Sequence, residues 1–140
     1  MDIHEINQEV LSMKYLLAAL TLAFSGSAAF AEGDPAKGEK AFRKCKSCHL
    51  IASENEVFMK GGKTGPNLYG IIGSQAGSVE GFKYSKILVA RGEEGLVWDE
   101  KSLAEYIQDP TKFLGKRSNM TFRLKKGSED VAAYLATFSK

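Results

Sequence analysis

Cys45-Lys46-Ser47-Cys48-His49 is the stretch of this 140-residue chain that decides its fold. Two cysteines separated by two residues and followed at once by a histidine form the C-x-x-C-H pattern, which is typical of covalent haem attachment. The two thiols add across the two vinyl groups of one porphyrin, so they must lie a helical turn apart on the same side. The imidazole of the next residue then ligates the iron. We therefore predict one haem c, bound covalently through Cys45 and Cys48, with His49 as an axial ligand.

Three other uses of a C-x-x-C pair fit the sequence less well. A zinc site needs two further ligands, but the chain has two Cys, and its other His is His4, which we expect to be absent from the mature protein. A thioredoxin-like dithiol is expected beside a βαβ pattern, and none surrounds the motif. A disulfide between Cys45 and Cys48 would close a very short loop and would stabilise the fold little.

Residues 13–31 are typical of a secretory signal peptide. Lys14 supplies the positive charge, an apolar stretch follows over residues 15–24, and Ala29-Phe30-Ala31 is an A-x-A cleavage site. An uncleaved membrane anchor is the alternative, but the apolar stretch is short compared with the roughly 20 residues that a span requires. We predict export to the periplasm and cleavage after Ala31.

Residues 1–12 do not belong to this signal, because they place three acidic residues where a positive region is expected. We interpret them as an over-extended start, with translation beginning at Met13.

Residues 32–140 then form one domain. Once the one Lys and three acidic residues of residues 1–31 are removed, 18 basic and 14 acidic residues give this domain a net charge of +4. This mild excess is far from the charge density of a nucleic-acid-binding protein.

The remaining pattern predicts an all-α fold. Asp34 before Pro35 indicates the start of a helix, because Asp caps free backbone N–H groups and Pro fits the first helical position. Ser128 is predicted to cap the last helix, whose apolar residues follow an i, i+3, i+4, i+7 spacing. Further helical segments are predicted over residues 82–90, 99–109 and 111–117, and residues 50–81 are predicted to form loops. No stretch alternates with a period of two for long enough to indicate a strand.

A haem iron held by His49 has a second axial position to fill. In residues 32–140 the thioether candidates are Met59 and Met120, and there is no second His. Met59 lies too near His49 along the chain to reach over the haem, so we interpret it as a core filler or an exposed loop residue. Met120 has ample chain to wrap to the distal face. We predict it as the iron ligand because His and Met are a known pair of haem ligands, and this pair raises the reduction potential.

Further motifs are spread along residues 33–140: Gly38 and Phe42 with Tyr134 and Leu135, the run Thr64-Gly65-Pro66-Asn67-Leu68, the run Gly81-Phe82-Lys83-Tyr84 with Trp98, Tyr106 before Pro110, and Phe122 after Met120. Together they resemble the class I c-type cytochromes, and the chain is similar to bacterial cytochrome c2 and mitochondrial cytochrome c. The resemblance implies a small cytochrome c fold over residues 32–140. In that fold, crossed N- and C-terminal helices, short helices and loops surround one covalently bound haem.

The resemblance also implies roles for four further residues. The Pro66 carbonyl would accept the Nδ1 proton of His49, which would fix the tautomer and strengthen the imidazole as a donor. Tyr84 and Trp98 would bond the inner haem propionate through their hydroxyl and indole N–H groups, and Tyr106 would bond the sulfur of the Met ligand. The alternative for these three aromatic residues is an ordinary place in the core.

The function implied is that of a soluble periplasmic one-electron carrier and not of an enzyme. By resemblance the electron donor is a cytochrome bc1 complex, and the acceptor is a terminal oxidase, a photosynthetic reaction centre, or both. A haem enzyme and a ligand-binding gas sensor are the competing functions, and each would need an open position on the iron. Six filled positions favour electron transfer over catalysis.

Basic residues flank the segments that we expect around the haem edge, and they define what we call the basic face: Lys40, Lys44, Lys46, Lys60, Lys63, Lys112, Lys116, Arg117, Lys125 and Lys126. Acidic residues concentrate elsewhere, over residues 93–109. An ordinary solvated surface is the alternative. We predict a dipolar monomer that is steered onto acidic patches of membrane complexes and docks there transiently.

Overall fold

A computed structural model describes residues 33–138. The predicted over-extended start, 1–12, and signal peptide, 13–31, lie outside the described residues. Within the described range the elements are α1 Pro35–Phe42, β1 Ile51–Ala52, β2 Val57–Met59, α2 Lys86–Glu93, α3 Glu100–Gln108, α4 Pro110–Leu114 and α5 Ser128–Ala136. No helix in residues 33–138 combines the length and the apolar character needed to cross a membrane.

Aspartate residues begin three of the helices, and the sequence predicts two of these starts, at Asp34 and Asp99; the helix predicted over residues 111–117 spans Pro110–Leu114. Asp34 caps α1 by accepting hydrogen bonds from two N–H groups of its first turn, with Pro at the first helical position. Asp99 accepts from the N–H of Ser102, whose hydroxyl accepts from the N–H of Asp99 in return. Asp109 caps α4 in front of Pro110. Hydrogen bonds from backbone N–H groups hold the pKa of both Asp34 and Asp99 below the ordinary value.

Two helix starts differ from the prediction. The helix predicted from residue 82 begins at Lys86, because the residues before it form a turn in which the Tyr84 hydroxyl accepts from the Val79 N–H at 3.3 Å. The prediction that Ser128 caps the last helix was wrong, since Gly127 is the N-cap residue, with a φ of 82°. Ser128 is the first helical residue, and its buried hydroxyl donates to the side chain that follows it.

A short hairpin interrupts the region predicted to form loops. β1 and β2 pair antiparallel, with Ile51 opposite Met59 and an irregular register between Ile51 and Ala52. The Ser53 hydroxyl closes the turn by accepting from the N–H groups of Asn55 and Glu56. Strands of two and three residues are too short to show an alternating pattern, so they could not be predicted from the sequence. The described domain is otherwise all-α, as predicted.

The crossing of α1 and α5 joins the two ends of the domain. Gly38 lies so close to α5 that an added Cβ would stand 2.7 Å from the Cβ of Tyr134 and would collide with the Asp130 carbonyl. The rings of Phe42 and Tyr134 pack with their centroids 5.8 Å apart. The N–H of Asp34 donates to the Asp130 carboxylate at 2.8 Å. The core built on this crossing includes fully buried Phe42, Val131 and Leu135 and extends to α3.

We predict that Gly38→Ala destabilises the haem-loaded protein. Alanine has the higher helix propensity, so a purely local effect would stabilise α1. The added Cβ instead forces α1 and α5 apart, and overpacking of this kind lowers the free energy of unfolding by about 2–3 kcal/mol. Urea denaturation measures the change, with Lys40→Ala on the exposed side of α1 as the control. An unchanged or raised stability for Gly38→Ala would contradict the close approach.

Candidate functional site

A cavity of about 350 Å³ brings together all of the predicted site residues. It is lined by Cys45, Cys48, His49, Pro66, Tyr84, Trp98, Tyr106 and Met120. Aliphatic side chains supply much of the remaining wall, among them Leu68, Ile71, Leu88, Leu103 and Ile107. Residues that are up to 75 positions apart in the sequence therefore face one apolar space.

The two cysteines lie on turns that continue from the end of α1. The N–H of Cys45 donates to the Phe42 carbonyl at 2.7 Å, and the N–H groups of Cys48 and His49 both donate to the Cys45 carbonyl, at 3.1 and 3.0 Å. Cys45 is partly buried and Cys48 is exposed. Burial, with the charge of Cys48 as a smaller cause, raises the pKa of the Cys45 thiol to about 11. Before the haem is attached, this thiol is therefore protonated at neutral pH.

His49 is held by the hydrogen bond that the resemblance implies. Its Nδ1 lies 2.8 Å from the carbonyl oxygen of Pro66. A carbonyl only accepts, so Nδ1 carries the proton and Nε2 carries the lone pair of the neutral ring. Burial lowers the pKa of His49, and the bond to Pro66 opposes that shift in part. The result is a neutral imidazole with one nitrogen free to bind a metal.

The loop that carries Pro66 can approach the imidazole because its neighbour is a glycine. A Cβ added at Gly65 would lie 2.6 Å from Nδ1 of His49, closer than real side chains come. The N–H of Gly65 donates to the Cys48 carbonyl at 2.8 Å, which fixes the loop against the attachment turn. Glycine at this position is therefore a steric requirement of the site.

Met120 reaches the cavity from the segment between α4 and α5, and Ser118 organises that segment. The Ser118 hydroxyl accepts from the N–H of Met120 at 3.2 Å and lies 3.1 Å from the hydroxyl of Tyr106. Burial raises the pKa of Tyr106, and the bond to Ser118 opposes this. Within the described residues the hydrogen-bond partner of the Tyr106 hydroxyl is thus Ser118, where the resemblance implies the Met sulfur.

Sequence reasoning missed Ser118. It is a buried polar residue, 5% exposed, two positions before the predicted ligand. A small hydroxyl residue in a loop is too common to stand out in a sequence, so the position of Ser118 two residues before Met120 was the one available signal.

Met59, the other thioether candidate, lies in β2. It packs partly buried against the core and does not line the cavity.

The residues predicted to meet a haem propionate lie along another part of the wall. Trp98 is 4% exposed and packs against Tyr106 and Phe113, with ring centroids 5.1 and 5.9 Å apart. Burial raises the pKa of Tyr84. Next to Tyr84, the hydroxyl of Ser85 is buried and has no hydrogen-bond partner. Ser85 also lines the cavity and was not predicted.

This donor set fits a haem. Two thiols sit at the spacing that covalent attachment needs, an imidazole nitrogen and a thioether sulfur face the same cavity, and the walls are apolar enough to bury a porphyrin. A buried hydroxyl without a partner costs free energy unless a bound group satisfies it. A haem combines a large apolar body with a polar edge, so it would fill the apolar cavity and would offer the Ser85 hydroxyl a partner.

A scan against models of known protein families finds no match. Individual proteins do match over most of the chain. Cytochrome c-551 of Roseobacter denitrificans is 51% identical over 132 residues, which cover 89% of this chain and 94% of that protein. Cytochrome c2 of Rhodobacter capsulatus is 48% identical over 138 residues, covering 91% of this chain and 100% of that protein.

The fold is shared as well as the sequence. The solved structure of cytochrome c2 from Rhodobacter capsulatus superposes with a TM-score of 0.75 and covers 77% of this chain and 100% of its own. The predicted small cytochrome c fold is thereby confirmed, as is the predicted haem c held covalently by Cys45 and Cys48. The chain belongs to the class I c-type cytochromes, together with cytochrome c2, c-550 and c-551.

Proposed function

We propose that the chain is a soluble periplasmic one-electron carrier whose haem iron is ligated by His49 and Met120. The observation that carries the proposal is that these two side chains, from segments 71 positions apart, line one apolar cavity with the attachment cysteines. When bound, the haem supplies an iron that changes between Fe(II) and Fe(III) by taking up or releasing one electron. The relatives are cytochromes, which supports a role in electron transport.

The two proposed ligands set the redox behaviour. The lone pair on Nε2 of His49 is available because Pro66 occupies Nδ1. The thioether of Met120 is a neutral, soft donor that favours Fe(II), and the apolar walls disfavour the additional charge of Fe(III). Both effects raise the reduction potential. With both axial positions occupied there is no room for a substrate on the metal, which argues against a haem enzyme and against a gas sensor.

The edge of the cavity gives electrons a short route to the surface. Phe122 lines the cavity and is 43% exposed, and Cys48 is also exposed. Phe122 lies two positions after Met120, so the proposed ligand and the exposed edge belong to one segment. We infer that partners dock over this edge.

The basic face supports an electrostatic docking mechanism. All ten of its residues are exposed. Lys37, Arg91 and Arg123, which form ion pairs in residues 33–138, are not part of this face. The proposed partners are a cytochrome bc1 complex as donor and a terminal oxidase or a photosynthetic reaction centre as acceptor, each approached by a monomer. Export through the predicted signal, with cleavage after Ala31, would place the protein beside them.

We predict that Met120→Ala lowers the reduction potential and opens the iron. The ferric protein is expected to lose its sulfur-to-iron charge-transfer band, and the ferrous protein is expected to bind carbon monoxide at neutral pH. Met59→Ala is the matched control, because Met59 packs on the core outside the cavity. This variant should keep the charge-transfer band and should not bind carbon monoxide. An unchanged potential in Met120→Ala would remove Met120 as a ligand.

We predict that reduction by a purified bc1 complex slows as ionic strength rises, because salt screens the attraction that steers the encounter. Charge reversal at Lys125 and Lys126 should lower the rate at low salt by about tenfold. Lys101→Glu changes a charge within the acid-rich segment and should have a smaller effect. Stopped-flow kinetics measure both rates, and a rate independent of salt would contradict steering. Oxidation assays with an oxidase and with a reaction centre then identify the acceptor.

A further inference from the structure

Asn67 lies in the loop of residues 64–68 that carries Pro66, which we call the proximal loop, and its side chain forms three hydrogen bonds. Its Nδ2 donates to the Ala52 carbonyl at 2.7 Å. Its Oδ1 accepts from the N–H of Ala52 and from the N–H of Tyr69, both at 3.1 Å. The amide therefore satisfies both backbone groups of Ala52 on β1, as a neighbouring strand would.

The peptide group anchored in this way is the one that contacts His49. The Pro66 carbonyl belongs to the peptide unit between Pro66 and Asn67, so its direction depends on how Asn67 is held. On either side, Gly65 N–H donates to the Cys48 carbonyl at 2.8 Å and Leu68 N–H donates to the Leu50 carbonyl at 3.0 Å. Those two bonds hold the loop at the residues on either side. The side chain of Asn67 holds the Pro66–Asn67 peptide unit against β1.

We propose that Asn67 is the positioning residue for His49. It clamps the Pro66–Asn67 peptide unit to Ala52, and the clamped carbonyl holds the Nδ1 proton and the orientation of the imidazole. Without the clamp the 2.8 Å contact loosens. The imidazole then has less negative character and binds Fe(III) less well, so the reduction potential rises. This inference rests on the proposed function, because it takes His49 to be an iron ligand.

The test uses the haem-loaded full domain in its ferrous form. Asn67→Ala should accelerate exchange of the His49 Nδ1 proton by about tenfold as measured by NMR, because a weakened hydrogen bond protects this proton less. Its midpoint potential should shift upward. Asn67→Asp keeps the acceptors for the N–H groups of Ala52 and Tyr69 but loses the donor to the Ala52 carbonyl. It should accelerate the Nδ1 exchange by less, and it serves through the exchange rate alone if the alanine variant does not fold, because its added negative charge itself lowers the potential.

Ser53→Ala is the matched control for a merely structural effect. Ser53 closes the turn of the same hairpin through several hydrogen bonds, none of which involves the proximal loop. This variant should lower stability while leaving the Nδ1 exchange rate and the potential close to those of the wild type. If Ser53→Ala changes them as much as Asn67→Ala does, or if both Asn67 variants match the wild type, the inference is overturned.

One measurement on the wild type separates this inference from the proposed function. An imidazole bound to haem iron has strongly upfield-shifted ring protons in the ferrous protein, because it lies over the porphyrin. If the wild-type His49 protons lack that shift, the proposed ligation fails. If the wild-type protons show that shift and the Asn67 variants leave the Nδ1 exchange rate unchanged, only the proposed role of Asn67 fails.

Discussion

The hydrogen bond between His49 and Pro66 joins two parts of the site that the sequence keeps apart. It spans 2.8 Å between residues 17 positions apart, and it decides which imidazole nitrogen is free. The attachment turn alone would leave the ring able to rotate. The hydrogen bond to His49 keeps the loop close to the imidazole, and Gly65 permits this approach because it lacks a side chain. If His49 ligates the iron as we propose, this bond complements the cysteines, because the cysteines hold the porphyrin while the oriented imidazole binds its metal.

The remainder of the fold supports that geometry from outside. α1 runs into the attachment turn, and its last residue, Phe42, is fully buried against α5. A continuous series of ring contacts leads from Phe42 through Tyr134 and Phe138 to Phe58 on the hairpin, with centroid separations of 5.8, 5.0 and 5.2 Å. The Phe138 carbonyl also accepts from the N–H of Gly70, after the proximal loop. Hairpin, loop and terminal helix thus brace the wall that carries His49.

The sequence predicted the residues whose chemistry is unusual and missed those whose chemistry is common. Two cysteines and a histidine in a fixed pattern have few uses, so Cys45, Cys48 and His49 could be predicted from the sequence. Met120 was predicted from its distance along the chain, and Pro66, Tyr84, Trp98 and Tyr106 from the family resemblance. Ser118 and Asn67 act through hydrogen bonds to backbone groups, which depend on where distant segments meet. The hairpin escaped detection because its strands are too short for a pattern. The cap at Ser128 was misassigned because Gly127 adopts a left-handed conformation that composition does not reveal.

The contact between Asp34 and Asp130 spans 96 positions, and this has a consequence for the order of assembly. In a chain that emerges from its N-terminus, α1 and the cysteines appear long before α5, which begins at Ser128. During that interval α1 has no partner, and closing so long a loop carries an entropic cost that local contacts do not offset. The crossing of α1 and α5 therefore needs both ends of the domain, and a chain that stops short of Ser128 leaves α1 without the helix that it packs against.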